Sequence, residues 1–337
     1  MIRKLHLVLR ITAICTHNCC ICQQKGNHRN QSLEVEAFRR FVPKILEFVS
    51  SRNLKLEALI SGIGDLVFCP ELRDHLAICL NELDACPVML QTSGFHTDSE
   101  CETLLSVQEM VWKRHQDMPR IPTSCSIATS LYDREESRER FSRLIGLDFP
   151  GFHASFIHDP GLDWAGTWRE RDEFYRLIKE AGFVQFFEGL PEGAKPSSEL
   201  EARFNLRRGY RRHCSRGETL LWTGGRYITP VGAAAEWQEK FVWADVNTEL
   251  PPDTLLLTIT EDGLLAPCFQ SQLGFYDIRD TKLDLASAVD RLGRIMRESH
   301  ELIAETSEYR EMRVWKCSIC PLMFDDQEKK AALDNTP

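Results

Sequence analysis

What this sequence of 337 residues lacks narrows its function first. No apolar run approaches the ~20 residues needed to cross a bilayer, and mean hydropathy is −0.29. No excess of positive charge exists either. The 41 lysines and arginines face 50 aspartates and glutamates, a net charge of −9, which argues against a nucleic-acid-binding surface as the main business. The N-terminus lacks the charged, apolar and small-residue order of a signal peptide. These absences lead to the expectation of a cytoplasmic protein with no membrane or nucleic-acid partner. In a reducing compartment, 13 cysteines read as metal, cluster or catalytic groups rather than as disulfides.

What is present is concentrated near the start. The apolar run Leu7 to Ile14 leads into Cys15, Cys19 and Cys22, spaced C-x3-C-x2-C. Closely spaced thiolates bind zinc or an iron–sulfur cluster. Ligand count separates the two: structural zinc closes a tetrahedron with four protein ligands, whereas three cysteines leave a position open. Cys20 could in principle complete a zinc set, but as neighbours Cys19 and Cys20 point their side chains differently.

Behind this loop, strand-like and helical segments alternate. A helix is predicted over 33–49, with its apolar residues at helical spacing and Pro43 inside. Strands are predicted at 55–61, 87–92, 123–131, 151–157 and 183–187, with helices near 71–83, 98–113, 133–145 and 168–181 between them. Six strands alternating with helices imply parallel strands with helical crossovers, hence an α/β fold built on a partial (βα)6 TIM-like barrel. In such barrels the chemistry sits at the carboxyl ends of the strands. The region from Gly189 to about Arg212 reads as a crossover out of the barrel, and the run Arg207, Arg208, Arg211 and Arg212 as solvated or ion-paired rather than anion-binding.

The cysteine loop resembles the cluster motif of the radical SAM enzymes, with Ile21 where that family usually has an aromatic residue. The resemblance implies that Cys15, Cys19 and Cys22 hold a 4Fe-4S cluster whose open iron is chelated by S-adenosylmethionine. Gly62-Ile63-Gly64-Asp65 resembles the family's Gly-Gly-Glu motif, and Gln91-Thr92-Ser93-Gly94 its Thr-Asn-Gly stretch. Ser126 to Asp133 resembles its Ser-Leu-Asp segment. Gly62, Gly64, Asp65, Thr92, Ser93 and Ser130 are therefore the residues implied to contact S-adenosylmethionine.

Four further cysteines, Cys214, Cys268, Cys317 and Cys320, form a second candidate set. They accompany a predicted hairpin around Gly224-Gly225, a second turning at Asp262-Gly263, and helices near 282–297 and 299–311. A structural zinc knot fits the same thiolates. Strand, Asp-Gly, strand, Pro-Cys, helix and Cys-x2-Cys together resemble the small C-terminal Twitch module, a relative of SPASM extensions, which implies one auxiliary 4Fe-4S cluster. The expected domains are a barrel over 1–195, the hairpin and helix module over 196–325, and a polar tail over 326–337.

The resemblance implies reductive cleavage of S-adenosylmethionine to a 5′-deoxyadenosyl radical that takes a hydrogen atom from substrate. An electron donor such as flavodoxin or ferredoxin is the expected partner. A peptide or peptide-like substrate is expected, modified by oxidation, cross-linking or epimerisation, with dehydrogenation of a small molecule such as an aminosugar as the alternative. With the motif starting at residue 15, no leader-binding domain is expected before it. Cys69 and Cys125 are candidate hydrogen-atom donors, and a zinc-stabilised binding protein is the alternative from another class.

Overall fold

The computed structural model describes residues 2–16, 30–117, 124–130, 134–157, 164–188, 207–226, 253–269, 271 and 273–305. Along the chain these form β1 (Lys4–Thr12), α1 (Val35–Ser51), β2 (Lys55–Gly62), α2 (Leu72–Ala77), β3 (Val88–Thr92), α3 (Asp98–Asp117), β4 (Ser124–Ser130), α4 (Arg134–Gly146), β5 (Gly151–Ile157), α5 (Trp164–Glu180), β6 (Val184–Glu188), β7 (Arg207–Cys214), β8 (Gly217–Arg226), β9 (Thr254–Ile259), β10 (Leu264–Ala266), β11 (Tyr276–Asp277) and α6 (Leu285–Glu305).

Contacts divide the chain into two units, residues 1–91 with 227–337, and residues 92–226. This division differs from the boundary at 195 expected from the sequence. The reason is a pairing between segments far apart in the chain: β9 lies parallel to β1, with Lys4 opposite Thr254 and Leu9 opposite Ile259.

In the first unit β1 is an interior strand, paired parallel with β2 on its other side. β2 pairs in turn with β3, and β9 continues antiparallel into β10 and then β11. A strand enclosed on both sides and covered on both faces reads as a continuous apolar run. Leu5, Leu7, Val8, Leu9 and Ile11 are accordingly buried. α1 buries Phe38, Phe41, Val42 and Ile45 and packs against α6. Lys44 Nζ from α1 donates to the carbonyls of Asp280, Thr281 and Leu283, 2.6 to 3.2 Å away, fixing the chain just before α6. The two helices expected over 282–297 and 299–311 are one helix as far as Glu305.

In the second unit β4 and β5 are parallel, as expected. The place beside β5, however, belongs to β8, and the strand expected there, β6, lies two positions further out beyond β7. A β7–β8 hairpin is thus inserted between strands that the helix α5 connects. This hairpin turns at Ser215-Arg216, with Gly217 at φ +148°, a backbone conformation that favours glycine. Gly224 and Gly225, expected to form the turn, instead pair with Ser155 and Phe156 inside the sheet. Gly209 of β7 fits between the rings of Phe186 and Trp222, which meet edge to face at 5.2 Å. Arg212, from the basic run, is committed to structure: it donates to Ala181 O at 3.1 Å, Leu147 O at 2.9 Å and Asp148 Oδ1 at 3.3 Å, and stacks over Phe183.

Candidate functional site

The site in the first unit is built on the carboxyl ends of β1 and β2. Register between these strands shifts between Arg10 and Thr12, so Arg10 faces Ser61 and Thr12 faces Gly62. That irregularity bends the chain out of the sheet toward Cys15. The segment returning from the cysteine loop lies antiparallel to it, with Thr12 bridged to Ser32. Ala13 N donates to Gln31 O at 2.8 Å and Leu33 N to Ile11 O at 3.0 Å. Both stems of the loop are therefore held. Thr12, fully buried, reinforces them, its Oγ1 accepting from Ile14 N at 3.0 Å and from Ser32 Oγ at 3.3 Å.

The glycine turn docks on the same segment from the other side. Gly64 N donates to Thr12 O at 3.2 Å and Asp65 N to Ile14 O at 3.1 Å. A Cβ at Gly62 would stand 2.4 Å from Thr12 O, and one at Gly64 would stand 2.2 Å from Ile14 O. Both glycines are needed for close approach of backbone to backbone. The buried Asp65 side chain accepts from Val67 N at 3.3 Å, capping the short 3-10 turn Leu66–Phe68. Cys15 comes directly after this docked segment and is half-buried.

Of the other expected cluster ligands, Cys19, Cys22, Cys317 and Cys320 lie outside the described residues. Cys268 is buried just after β10, its carbonyl accepting from Ser271 N at 3.0 Å. Cys214 belongs to the other unit, at the end of β7, where Thr219 Oγ1 lies 3.9 Å from its sulfur. Thr92 closes β3, and its Oγ1 accepts from Gly94 N at 3.0 Å. Ser93 comes next, in the loop. Ser130 is the last residue of β4 and Cys125 its second, facing Phe152 on β5. Cys69 is buried in the first unit, and burial pushes its thiol up to about 12, so it stays protonated.

One cluster of side chains is missing from the sequence reading. Arg10, 3% exposed, donates from Nε and Nη2 to the two carboxylate oxygens of Glu261, also 3% exposed, each at 2.9 Å, and from Nη1 to Ser271 O. This is a two-pronged fork plus a third bond from a single guanidinium. No local pattern finds it, because the partners are separated by 251 and 261 positions. An arginine in an otherwise apolar buried strand was the available clue, since a buried charge requires a partner.

The donor chemistry and the backbone cradle fit the implied group. Thiolates are soft ligands suited to iron–sulfur clusters or zinc. The first of them stands on a segment whose geometry is set from both sides, at the carboxyl end of parallel strands where α/β folds place their ligands.

No protein-family model matches the chain, and no curated protein matches it. Solved structures do. The structure is similar to that of Streptococcus suis SuiB bound to S-adenosylmethionine, with 12% sequence identity and a TM-score of 0.50, over 94% of this chain and 72% of SuiB. SuiB bound to its precursor peptide SuiA matches with 13% identity and a TM-score of 0.40, over 85% and 64% of the two chains. BtrN in complex with AdoMet and 2-DOIA matches with 10% identity and a TM-score of 0.39, over 97% and 98%. The likeness to the first of these shows that the chain shares its fold.

Proposed function

We propose that the chain is a radical SAM enzyme in which Cys15, Cys19 and Cys22 hold a 4Fe-4S cluster with one iron left to S-adenosylmethionine. The observation that carries this reading is the docking of the Gly62 to Asp65 turn onto the segment that delivers Cys15. It brings two sequence motifs, 47 positions apart between Cys15 and Gly62, to adjacent strand ends in a fold shared with an S-adenosylmethionine-bound enzyme. When bound, the cluster and S-adenosylmethionine supply reductive cleavage of the sulfonium and removal of a hydrogen atom from substrate.

The chain's own contribution is binding and orientation. Gly62 and Gly64 permit the close packing, Asp65 fixes the turn, and Thr12 locks the loop stems. Thr92, Ser93 and Ser130 are the further contacts assigned to S-adenosylmethionine. Cys214, Cys268, Cys317 and Cys320 are assigned to an auxiliary 4Fe-4S cluster that accepts the electron left on product. Flavodoxin or ferredoxin is the assigned donor. The substrate assigned is a peptide or peptide-like molecule, and Cys69 and Cys125 are the candidates for returning a hydrogen atom to it.

Anaerobically purified, reconstituted protein tests the reading by iron and sulfide analysis, absorption spectra and assay of 5′-deoxyadenosine after reduction. Iron with S-adenosylmethionine cleavage, both lost in Cys19→Ala, is the expected result. Zinc without iron in a colourless protein would establish the structural-metal reading instead. Turnover of an aminosugar with no action on peptides would replace the substrate class alone.

A further inference from the structure

Stability alone is a weak reason for the buried Arg10–Glu261 pair. A buried ion pair gives weak net stabilisation, because desolvation of both charges offsets their attraction, and apolar replacements of similar volume are often neutral. Its geometry points elsewhere. Arg10 lies on β1, immediately before the register shift that turns the chain toward Cys15. Glu261 lies in the turn between β9 and β10, where Thr260 O accepts from Gly263 N at 2.9 Å. The third acceptor, Ser271 O, belongs to the loop just beyond Cys268. That loop is closed on itself: Ser271 N donates to Cys268 O at 3.0 Å, Leu273 N to Ser271 Oγ at 3.1 Å, and Ser271 Oγ to Leu273 O at 2.8 Å.

We infer that Arg10 and Glu261 are positioning residues that hold the approach to Cys15 and the loop of Cys268 in one frame, so that these two cysteines are set together. Strand pairing alone does not do this. The β1–β9 ladder ends at Leu9 and Ile259, before either cysteine, and the guanidinium carries a connection beyond it. Lysine cannot substitute, because a single ammonium does not reproduce the planar fork and reach Ser271 O as well. The inference rests on the proposed function only in taking these cysteines as ligands.

The test uses the full-length chain, as isolated and after iron removal. Alkylation rates of Cys15, Cys268 and Cys79 are measured by peptide mass spectrometry in wild type, Arg10→Lys and the double variant Arg10→Met with Glu261→Met. Cys79 is fully buried in the same unit, in a helical turn over 78–82, and reports global opening. In Arg10→Lys, alkylation of Cys15 and Cys268 is expected to rise about tenfold or more, as for loss of one or two hydrogen bonds to charged groups, while Cys79 is unchanged. The double variant keeps its Tm but shows the same selective rise, because Ser271 O has lost its donor. Unchanged Cys15 and Cys268 rates in both variants, or a parallel rise at Cys79, would overturn the inference. Reconstituted Arg10→Lys should also hold less iron per chain and give a broadened EPR signal, and a wild-type iron content and signal would count equally against it. Wild-type protein that takes up no iron removes the proposed function, while the alkylation ratios still decide the positioning role.

Discussion

Gly64→Ala probes the cradle directly. The new methyl carbon would lie 2.2 Å from Ile14 O, 2.6 Å from Ala13 C and 2.7 Å from Ile14 C. All three atoms are backbone, so no side-chain rotation relieves the contact, and the turn must separate from Thr12–Cys15 by roughly 1 Å to reach ordinary contact distance. Overpacking of this kind costs about 1–3 kcal/mol. Loss of the bonds from Gly64 N and Asp65 N adds about 1 kcal/mol each. The total is about 3–5 kcal/mol, concentrated on the segment that delivers Cys15. Gly146→Ala is the control, since nothing lies within 4 Å of a Cβ there, and at a helix end it should be neutral or stabilising by about 0.5 kcal/mol. Urea unfolding, iron content after reconstitution and S-adenosylmethionine binding by calorimetry are measured for both. Gly64→Ala should lose stability, iron and cofactor binding together. A Gly64→Ala protein with wild-type values for all three would refute the cradle argument.

Gly209→Ala should destabilise the second unit by about 2 kcal/mol, because its Cβ would stand 2.7 Å from both Phe186 and Trp222; urea titration monitored by tryptophan fluorescence measures it, and unchanged stability would show that the rings can move aside. Arg212→Ala removes three hydrogen bonds and a ring contact and should cost about 2–3 kcal/mol, read as an earlier urea midpoint. His75, buried and stacked on Phe38, is held below its ordinary pKa of 6.5 by desolvation, as is His6. The unfolded chain therefore binds more protons below that value, so stability is full above pH 6.5 and falls as pH drops through this range. Urea midpoints at pH 5.5 and 7.5 should show the fall, and His75→Gln should flatten it.

The sequence revealed most where one residue type serves one purpose. A mostly apolar run fits an enclosed strand, and β1 is one, with Arg10 its buried charged exception. Gly62 and Gly64 were legible because backbone contact leaves no room for any other residue. Strand order was not legible beyond β5, because alternation of strands and helices gives their succession along the chain but not their neighbours in the sheet. The β7–β8 hairpin took the place beside β5 through pairings that no local pattern encodes. Gly224-Gly225 resembled a turn because paired glycines are flexible, yet the reversal used Ser215-Arg216 with Gly217 supplying the unusual φ. Arg10 and Glu261 were unreadable as partners for the same reason of distance along the chain.

The seat of β9 beside β1 also orders events during synthesis. Until Thr254–Ile259 leaves the ribosome, one edge of the first strand has no partner, and an apolar open edge invites pairing with other chains. Closing a loop of some 250 residues is slow compared with local helix formation. The stretch made first is thus completed last. A truncation before residue 254 should leave a sticky strand edge and take away the Glu261 partner of Arg10, beside the segment that leads to Cys15.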